Sequence, residues 1–297
     1  MNNFPSVSLI TPSFNQGQYI EQTITSVLDQ QYPNLEYIII DGGSTDNTVA
    51  IIKKYERHLT YWVSERDQGQ ANAINKGLSY CTGEIFNWLN SDDYLQPGSL
   101  QKIAAAFSDP SVDLVAGKVN NFSTGLSDIV SNQQLTATGL MRWDKGVQFV
   151  QPGVWMWRKY FNACGGLNEL FQYAFDWDMM IRYLSLFPQV KYLPDTLVNF
   201  RLHDASKTVS ALHQFVQEEQ LIIEALYANS DFKTLHPVCK YKIARAGWTK
   251  FLSTTIEAAG ISKAKKIAGI ISKLNNQPRD TGITRMTLGA IKQILVG

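Results

Sequence analysis

Ten residues, Phe86-Asn87-Trp88-Leu89-Asn90-Ser91-Asp92-Asp93-Tyr94-Leu95, carry the pattern from which chemistry is most readily read. The run begins apolar enough for a buried strand, then breaks into Asn, Ser and two adjacent Asp residues. In α/β proteins a strand that ends at the carboxyl edge of a parallel sheet is where ligands bind. Carboxylates on such a loop suit a hard cation, Mg2+ or Mn2+, which keeps several waters and shares its shell with substrate phosphates. An Asp-Asp pair also serves to cap a following helix, here one starting near Gly98, or to solvate a turn. What else reaches the same edge decides between these roles.

Around this run the chain alternates strand and helix. Val7-Ser8-Leu9-Ile10-Thr11-Pro12 reads as a buried first strand stopped by Pro12. Tyr19 to Leu28 reads as a helix with Ile20, Ile24, Val27 and Leu28 on one face. Leu35 to Asp41 is a second strand, again ending in a carboxylate. The turn Gly42-Gly43-Ser44-Thr45-Asp46 follows, with Thr45 or Asp46 able to cap a helix from Asn47 to Tyr55. Thr60 to Val63 gives a third strand, and Glu65-Arg66-Asp67-Gln68-Gly69 the loop after it. Gln70 to Tyr80 is a helix, and Glu84 to Leu89 the fourth strand. Four alternations in about 100 residues predict βαβ units and a Rossmann-like, mostly parallel central sheet. Asp41, Asp67 and Asp92/Asp93 then converge on one cleft at its carboxyl edge. There is no G-x-G-x-x-G and no Walker loop, so a nucleotide would be held through carboxylates and a metal rather than a glycine cradle.

The 297 residues suffice for one large domain or two small ones. Charge and apolar content are those of a globular protein. Met1 leads quickly into the first strand with no leader-like basic and apolar run, and no apolar stretch nears the roughly 18 residues of a spanning helix. Cys81, Cys164 and Cys239 are too few and too scattered for a disulfide framework or a metal knuckle, which points to a reducing, cytoplasmic location. The net charge of +1 hides an asymmetry. From Asp231 onward twelve Lys/Arg stand against three Asp/Glu, giving +9, so the rest of the chain carries −8.

The segments Val7 to Pro12, Asp41-Gly42-Gly43-Ser44-Thr45-Asp46, Ser64-Glu65-Arg66-Asp67-Gln68-Gly69 and Leu89-Asn90-Ser91-Asp92-Asp93 together resemble the motif series of the family 2 glycosyltransferases, which have the GT-A fold. The resemblance runs from about Ser6 to His203 and rests on the order and spacing of four motifs, each weak alone. It implies that Thr11, Pro12 and Asp41 lie near the base and ribose of a nucleotide, and that Asp67 faces the same nucleotide. The DXD-type motif of the family holds metal and diphosphate; here it reads Asn90-Ser91-Asp92, with an amide in place of the first carboxylate. That makes Asp92 the main expected metal ligand and Asp93 the second, with Asn90 a candidate for sugar or ribose contact.

Beyond Gly98 a helix to about Phe107 and a strand over Val112 to Gly117 are expected, then a polar hairpin or loop over residues 121–147 that could wall the acceptor side. Gln151 to Arg158 resembles the family's segment beneath the acceptor pocket. Phe175-Asp176-Trp177-Asp178 opens a helix, where carboxylates are also explained by capping and the helix dipole. The resemblance makes Asp176 the catalytic base, with Asp178 the fallback. Val190 to Pro194 and Leu197 to His203 close the domain as two short strands. By the same resemblance His203 lies near the metal or diphosphate, and Arg201 could offset phosphate charge.

The expected division is a GT-A domain over residues 1–209 and a basic helical extension over 210–297. In the extension Ile267, Ile270, Ile271 and Leu274, then Leu288, Ile291, Ile294 and Leu295, recur at helical spacing. Such helices either pack on the catalytic domain or lie on an anionic membrane. The expected reaction is metal-dependent, inverting transfer from a nucleotide-diphospho-sugar, first a UDP-sugar, to a saccharide or lipid-linked saccharide of a surface polysaccharide; no nucleic-acid partner is expected. Rivals are a sugar nucleotidyltransferase, for which Thr11-Pro12-Ser13-Phe14-Asn15 lacks the Gly-rich, basic first loop; a glycosidase, which needs no nucleotide; and a sugar-binding scaffold that lost turnover, supported by Asn90.

Overall fold

The structure is a computed structural model that describes residues 4–203, 212–274 and 283–296. Its parallel half begins with β1 (Val7–Ser13), α1 (Ile20–Leu28), β2 (Leu35–Asp41), α2 (Thr48–Tyr55), β3 (Tyr61–Ser64), α3 (Gln70–Leu78) and β4 (Ile85–Trp88). These strands lie in the order β3-β2-β1-β4, all parallel. Every residue of β1 is buried, as a strand covered on both faces requires.

Pro12 does not stop β1, which continues in register with β2 as far as Ser13 opposite Asp41. The reason lies in the hydrogen-bond direction. Ile10 accepts from Leu89 N on the β4 side, and Ser13 accepts from Gly42 N on the β2 side. Alternation therefore points the nitrogen of Pro12 toward β4, whose ladder with β1 ends at Ile10 and Trp88. The missing N–H costs nothing there.

The second half is mixed. It comprises β5 (Tyr94–Leu95), α4 (Ser99–Ala106), β6 (Leu114–Ser123), β7 (Leu126–Ser131), α5 (Ala137–Arg142), β8 (Val154–Trp157), α6 (Arg158–Ala163), α7 (Phe175–Leu186) and β9 (Val190–Arg201). Among the described residues the sheet runs β3-β2-β1-β4-β8-β6-β9-β5, with β7 paired to β6. β8 is antiparallel to both β4 and β6, while β6 and β9 are parallel. The stretch expected as a polar hairpin or loop is the end of β6, β7 and α5; the turn between the strands uses Gly125 at φ +80°. The two expected closing strands are one continuous strand. Across from Ala116 and Lys118 of β6 stand Tyr192 and Thr196, so β9 inserts extra residues there. That irregularity falls on Pro194 and absorbs it without ending the strand.

Two compact units are present, Met1–Glu219 and Gln220–Gly297. The expected boundary between residues 209 and 210 lies outside the described residues. Helix α8 (Leu212–Ala228) crosses from one unit to the next; α9 (His236–Glu257), α10 (Lys263–Leu274) and α11 (Ile283–Val296) follow. In the second unit Trp248, Leu252, Ile270, Ala290 and Ile294 form a core, with Ile267, Leu274 and Ile291 packed against it. The Trp248 indole N–H donates to Thr287 Oγ1 at 3.0 Å. Most of the apolar positions expected to pack on the catalytic domain or face a membrane therefore face one another. Ile271, Leu288, Leu295 and Val296 stay exposed. No helix among the described residues is long and apolar enough to cross a membrane.

Candidate active site

The carboxyl ends of β1 and β2 meet at Asp41, which is fully buried. Its carboxylate accepts from Gly43 N (3.2 Å), Ser44 N (2.9 Å), Ser44 Oγ (2.5 Å) and Ser64 Oγ (2.6 Å). Asp41 thus shapes the turn after β2 and ties it to β3. Thr11 is also buried, its hydroxyl 3.0 Å from that of Tyr37. Pro12 is buried beside it. Phe14, one turn further on, is 59 % exposed. Asp67 is half-buried and accepts from Gly69 N at 2.8 Å. A Cβ on Gly42 would lie 2.8 Å from Asp67 Oδ2, so the glycine is what lets the loops after β2 and β3 approach.

The turn after β4 is over-determined. Asp93 is fully buried; its Oδ1 accepts from Arg201 N (2.9 Å) and its Oδ2 from Asn90 Nδ2 (3.2 Å). Burial first, and the Asp92 charge second, push the Asp93 carboxyl well above the usual range. Asn90 also accepts from Gln70 Nε2 at 2.7 Å. An aspartate at 90 would set a third carboxylate against this buried one, whereas an amide donates to it. Ser91, buried, offers its carbonyl together with that of Asp93 to the Thr23 hydroxyl of α1, at 2.9 and 2.6 Å. Arg201 donates to the Asp92 carbonyl (3.0 Å) and to Gln22 Oε1 (2.7 Å), its guanidinium 4.6 Å from the ring centres of both Tyr19 and Phe122.

These contacts leave Asp92 turned outward. Its Oδ2 lies 2.9 Å from His203 Nε2, with side-chain exposures of 20 % and 18 %. Among the described residues no group of three or more His, Cys, Asp or Glu could hold a metal ion. A carboxylate oxygen facing an imidazole nitrogen still fits a divalent cation that completes its shell with diphosphate and water. Of the three residues expected around a metal, the structure pairs Asp92 with His203 and uses Asp93 to hold the turn. Arg201, expected on phosphate, braces the same turn.

Helix α7 opens on Phe175-Asp176-Trp177-Asp178. Asp178 is buried and ion-paired to Arg182 at 2.7 Å, one helical turn on. Arg182 also donates to the carbonyls of Cys164 and Gly166, which fixes the preceding loop. Burial raises the Asp178 carboxyl, and Arg182 offsets part of that. Asp176 is half-buried and accepts from Trp177 N at 2.7 Å. Ahead of it Glu218 of α8 accepts from three successive backbone amides, Gln172, Tyr173 and Ala174, each at 2.8 Å. It anchors the turn that leads into α7 from another helix. Sequence reading missed this residue because no motif marks a glutamate more than forty positions from the amides it serves.

The loops touch in series. The Asn90 turn bonds Gln70 at the start of α3, and a Cβ on Gly69 would meet Gln172 Oε1 at 2.4 Å. Gln172 N in turn donates to Glu218 in the turn before α7. The turn after β4, the loop before α3 and the turn before α7 are thus joined in series.

The profile of glycosyl transferase family 2 matches residues 8–166, more than half of the chain. The chain belongs to glycosyl transferase family 2. An uncharacterised glycosyltransferase of Rickettsia typhi is 27 % identical over 230 residues, covering 73 % of this chain and 70 % of that one. A Bacillus subtilis glycosyltransferase named for teichuronic acid biosynthesis, TuaG, is 44 % identical over 103 residues, 33 % of this chain and 40 % of its own. Among solved structures, S. aureus TarS 1–349 in complex with UDP-GlcNAc has a TM-score of 0.63 at 20 % identity, covering 76 % of this chain and 67 % of that one. The mannosyltransferase PcManGT from Pyrobaculum calidifontis, in complex with GDP-Man and Mn2+, has a TM-score of 0.56 at 16 % identity over 99 % of this chain and 87 % of its own. These likenesses show the GT-A fold. Family 2 membership makes the chain a glycosyltransferase, in place of the nucleotidyltransferase, glycosidase and scaffold readings.

Proposed function

We propose that the chain transfers a sugar from a nucleotide-diphospho-sugar, first a UDP-sugar, to a saccharide hydroxyl with inversion, in surface polysaccharide assembly. The carrying observation is the Asp92–His203 pair at 2.9 Å on a turn braced by Asp93 and Arg201. A divalent cation, Mg2+ or Mn2+, held by Asp92 and His203 would neutralise charge growing on the leaving diphosphate. Asp67 faces the nucleoside, and the buried Thr11, Pro12 and Asp41 set the strand ends and turn behind it; Asn90 and Ser91 set the turn from beneath. Asp176 takes the proton of the acceptor hydroxyl as its oxygen attacks the anomeric carbon from the face opposite the diphosphate. Asp178 is engaged with Arg182, which favours Asp176 over it. Bacillus TuaG and S. aureus TarS, by their printed names and ligands, support the polysaccharide setting and the UDP-sugar. A lipid-linked acceptor and a peripheral place on an anionic membrane accord with the basic second unit.

The test is a nucleotide-sugar panel scored by nucleoside-diphosphate release, with Mg2+, Mn2+ or chelator. Asp176→Asn should bind donor normally and lose transfer by about 10²–10⁴, the scale of a general base. Normal transfer by that variant would remove Asp176 from the role.

A further inference from the structure

Trp143 combines three features that a surface loop does not need. It ends α5 in the left-handed region (φ 55°, ψ 47°), where the usual residue is Gly or Asn. It is 55 % exposed. And it is held: its ring lies parallel to that of Trp177, 6° apart with centres at 5.7 Å, and Phe215 packs against both. Its indole N–H donates to Glu219 Oε1 at 3.1 Å. Trp177 itself is 2 % exposed and follows Asp176 directly. A large aromatic kept in a disfavoured backbone conformation, immobilised and still open to solvent, is a signature of a binding surface.

We propose that the Trp143 ring is the platform on which the acceptor's pyranose ring lies while its hydroxyl meets Asp176. The inference rests on the reading of Asp176 as base. An indole face attracts the slightly positive C–H groups on one side of a pyranose, through the ring quadrupole. The Glu219 carboxylate lies at the edge of the indole, where it accepts from the Trp143 N–H. A pyranose, apolar on its face and polar at its rim, matches an indole face with a polar border better than an acyl chain does.

The test uses the full chain with UDP present and ligand-observed saturation-transfer NMR. The probes are methyl β-D-glucopyranoside, methyl β-D-galactopyranoside and methyl 2-acetamido-2-deoxy-β-D-glucopyranoside, with ribitol phosphate and glycerol phosphate as acyclic alternatives. At least one pyranoside should bind. Trp143→Ala should weaken it by roughly tenfold, and Trp143→Phe by only about threefold, with UDP affinity unchanged in both. Unchanged pyranoside binding by Trp143→Ala overturns the proposal. So does binding of the acyclic phosphates alone, or of no probe. Asp176→Asn separates the two readings: if it keeps full transfer while Trp143→Ala still loses the pyranoside, the base assignment falls and the platform stands.

Discussion

Asp92 and Asp93 are neighbours in sequence with opposite environments, and the difference assigns their work. Asp93 has no exposure and accepts two hydrogen bonds that hold the turn; Asp92 keeps a fifth of its side chain open and faces His203. Asp92→Ala is expected to abolish divalent-dependent turnover while leaving the melting temperature nearly unchanged; normal activity in chelator-sensitive form would remove Asp92 from the metal role. Asp178 offers a contrast at the same scale. Its carboxyl is raised by burial, so the folded state holds that proton more tightly than the unfolded chain does. Its contribution to stability is fully present below the ordinary Asp range, near about pH 4, and declines as pH rises through the raised range. Asp178→Asn should lack that decline. Urea unfolding from about pH 4 to pH 8 checks both statements.

Helices α7 and α8 form the next scale. Three successive amides ahead of α7 donate to Glu218. Glu218→Ala should cost about 1–3 kcal/mol and release amide protection at 172–174 first. It should lower kcat with donor KM unchanged, and Glu218→Gln, which keeps one acceptor oxygen, should lie between. Unchanged exchange at those amides would refute the anchoring role of Glu218. The legibility of this region follows from the range of the interactions. β2 was readable because Tyr37 to Ile40 is a continuous apolar run ending in a charge, and the strand expected over Leu35 to Asp41 is observed over those same residues. The positions of Asp92 after the fourth strand and of Asp176 in the first turn of a helix were readable because local strand and helix patterns placed them. Glu218, the Trp143–Trp177 stack and the course of β1 through Pro12 were not. Each depends on a partner distant in sequence, and a proline's missing donor is harmless only once the neighbouring ladder is known to have ended.

Across the whole molecule the charge is divided, with +9 on the residues from Asp231 onward. The apolar faces of α9, α10 and α11 are largely used in their own core, so membrane contact would rest on cations and on Ile271, Leu288, Leu295 and Val296. Each surface lysine is worth about 1 kcal/mol on an anionic bilayer. Cutting the chain near Ser262 would remove Ile270, Ala290 and Ile294 from that core, so charge reversal is the cleaner probe. Exposed Lys263, Lys265 and Lys292 changed together to Glu should abolish co-sedimentation with anionic vesicles at low salt, and leave the helical content intact. Equal recovery of both proteins in the supernatant would favour a second unit that stays off the bilayer.

Glu218 also sets a rule for recombining relatives. The family profile ends at residue 166, yet the helix proposed to carry the base starts at Phe175, and the glutamate that anchors the turn before it stands on α8. A chimera joined between α7 and α8 would inherit one parent's proton acceptor and the other parent's means of holding it still. Acceptor preference should therefore travel between parents as a cassette containing both helices, and crossovers that split the cassette should yield folded proteins that bind donor and transfer poorly.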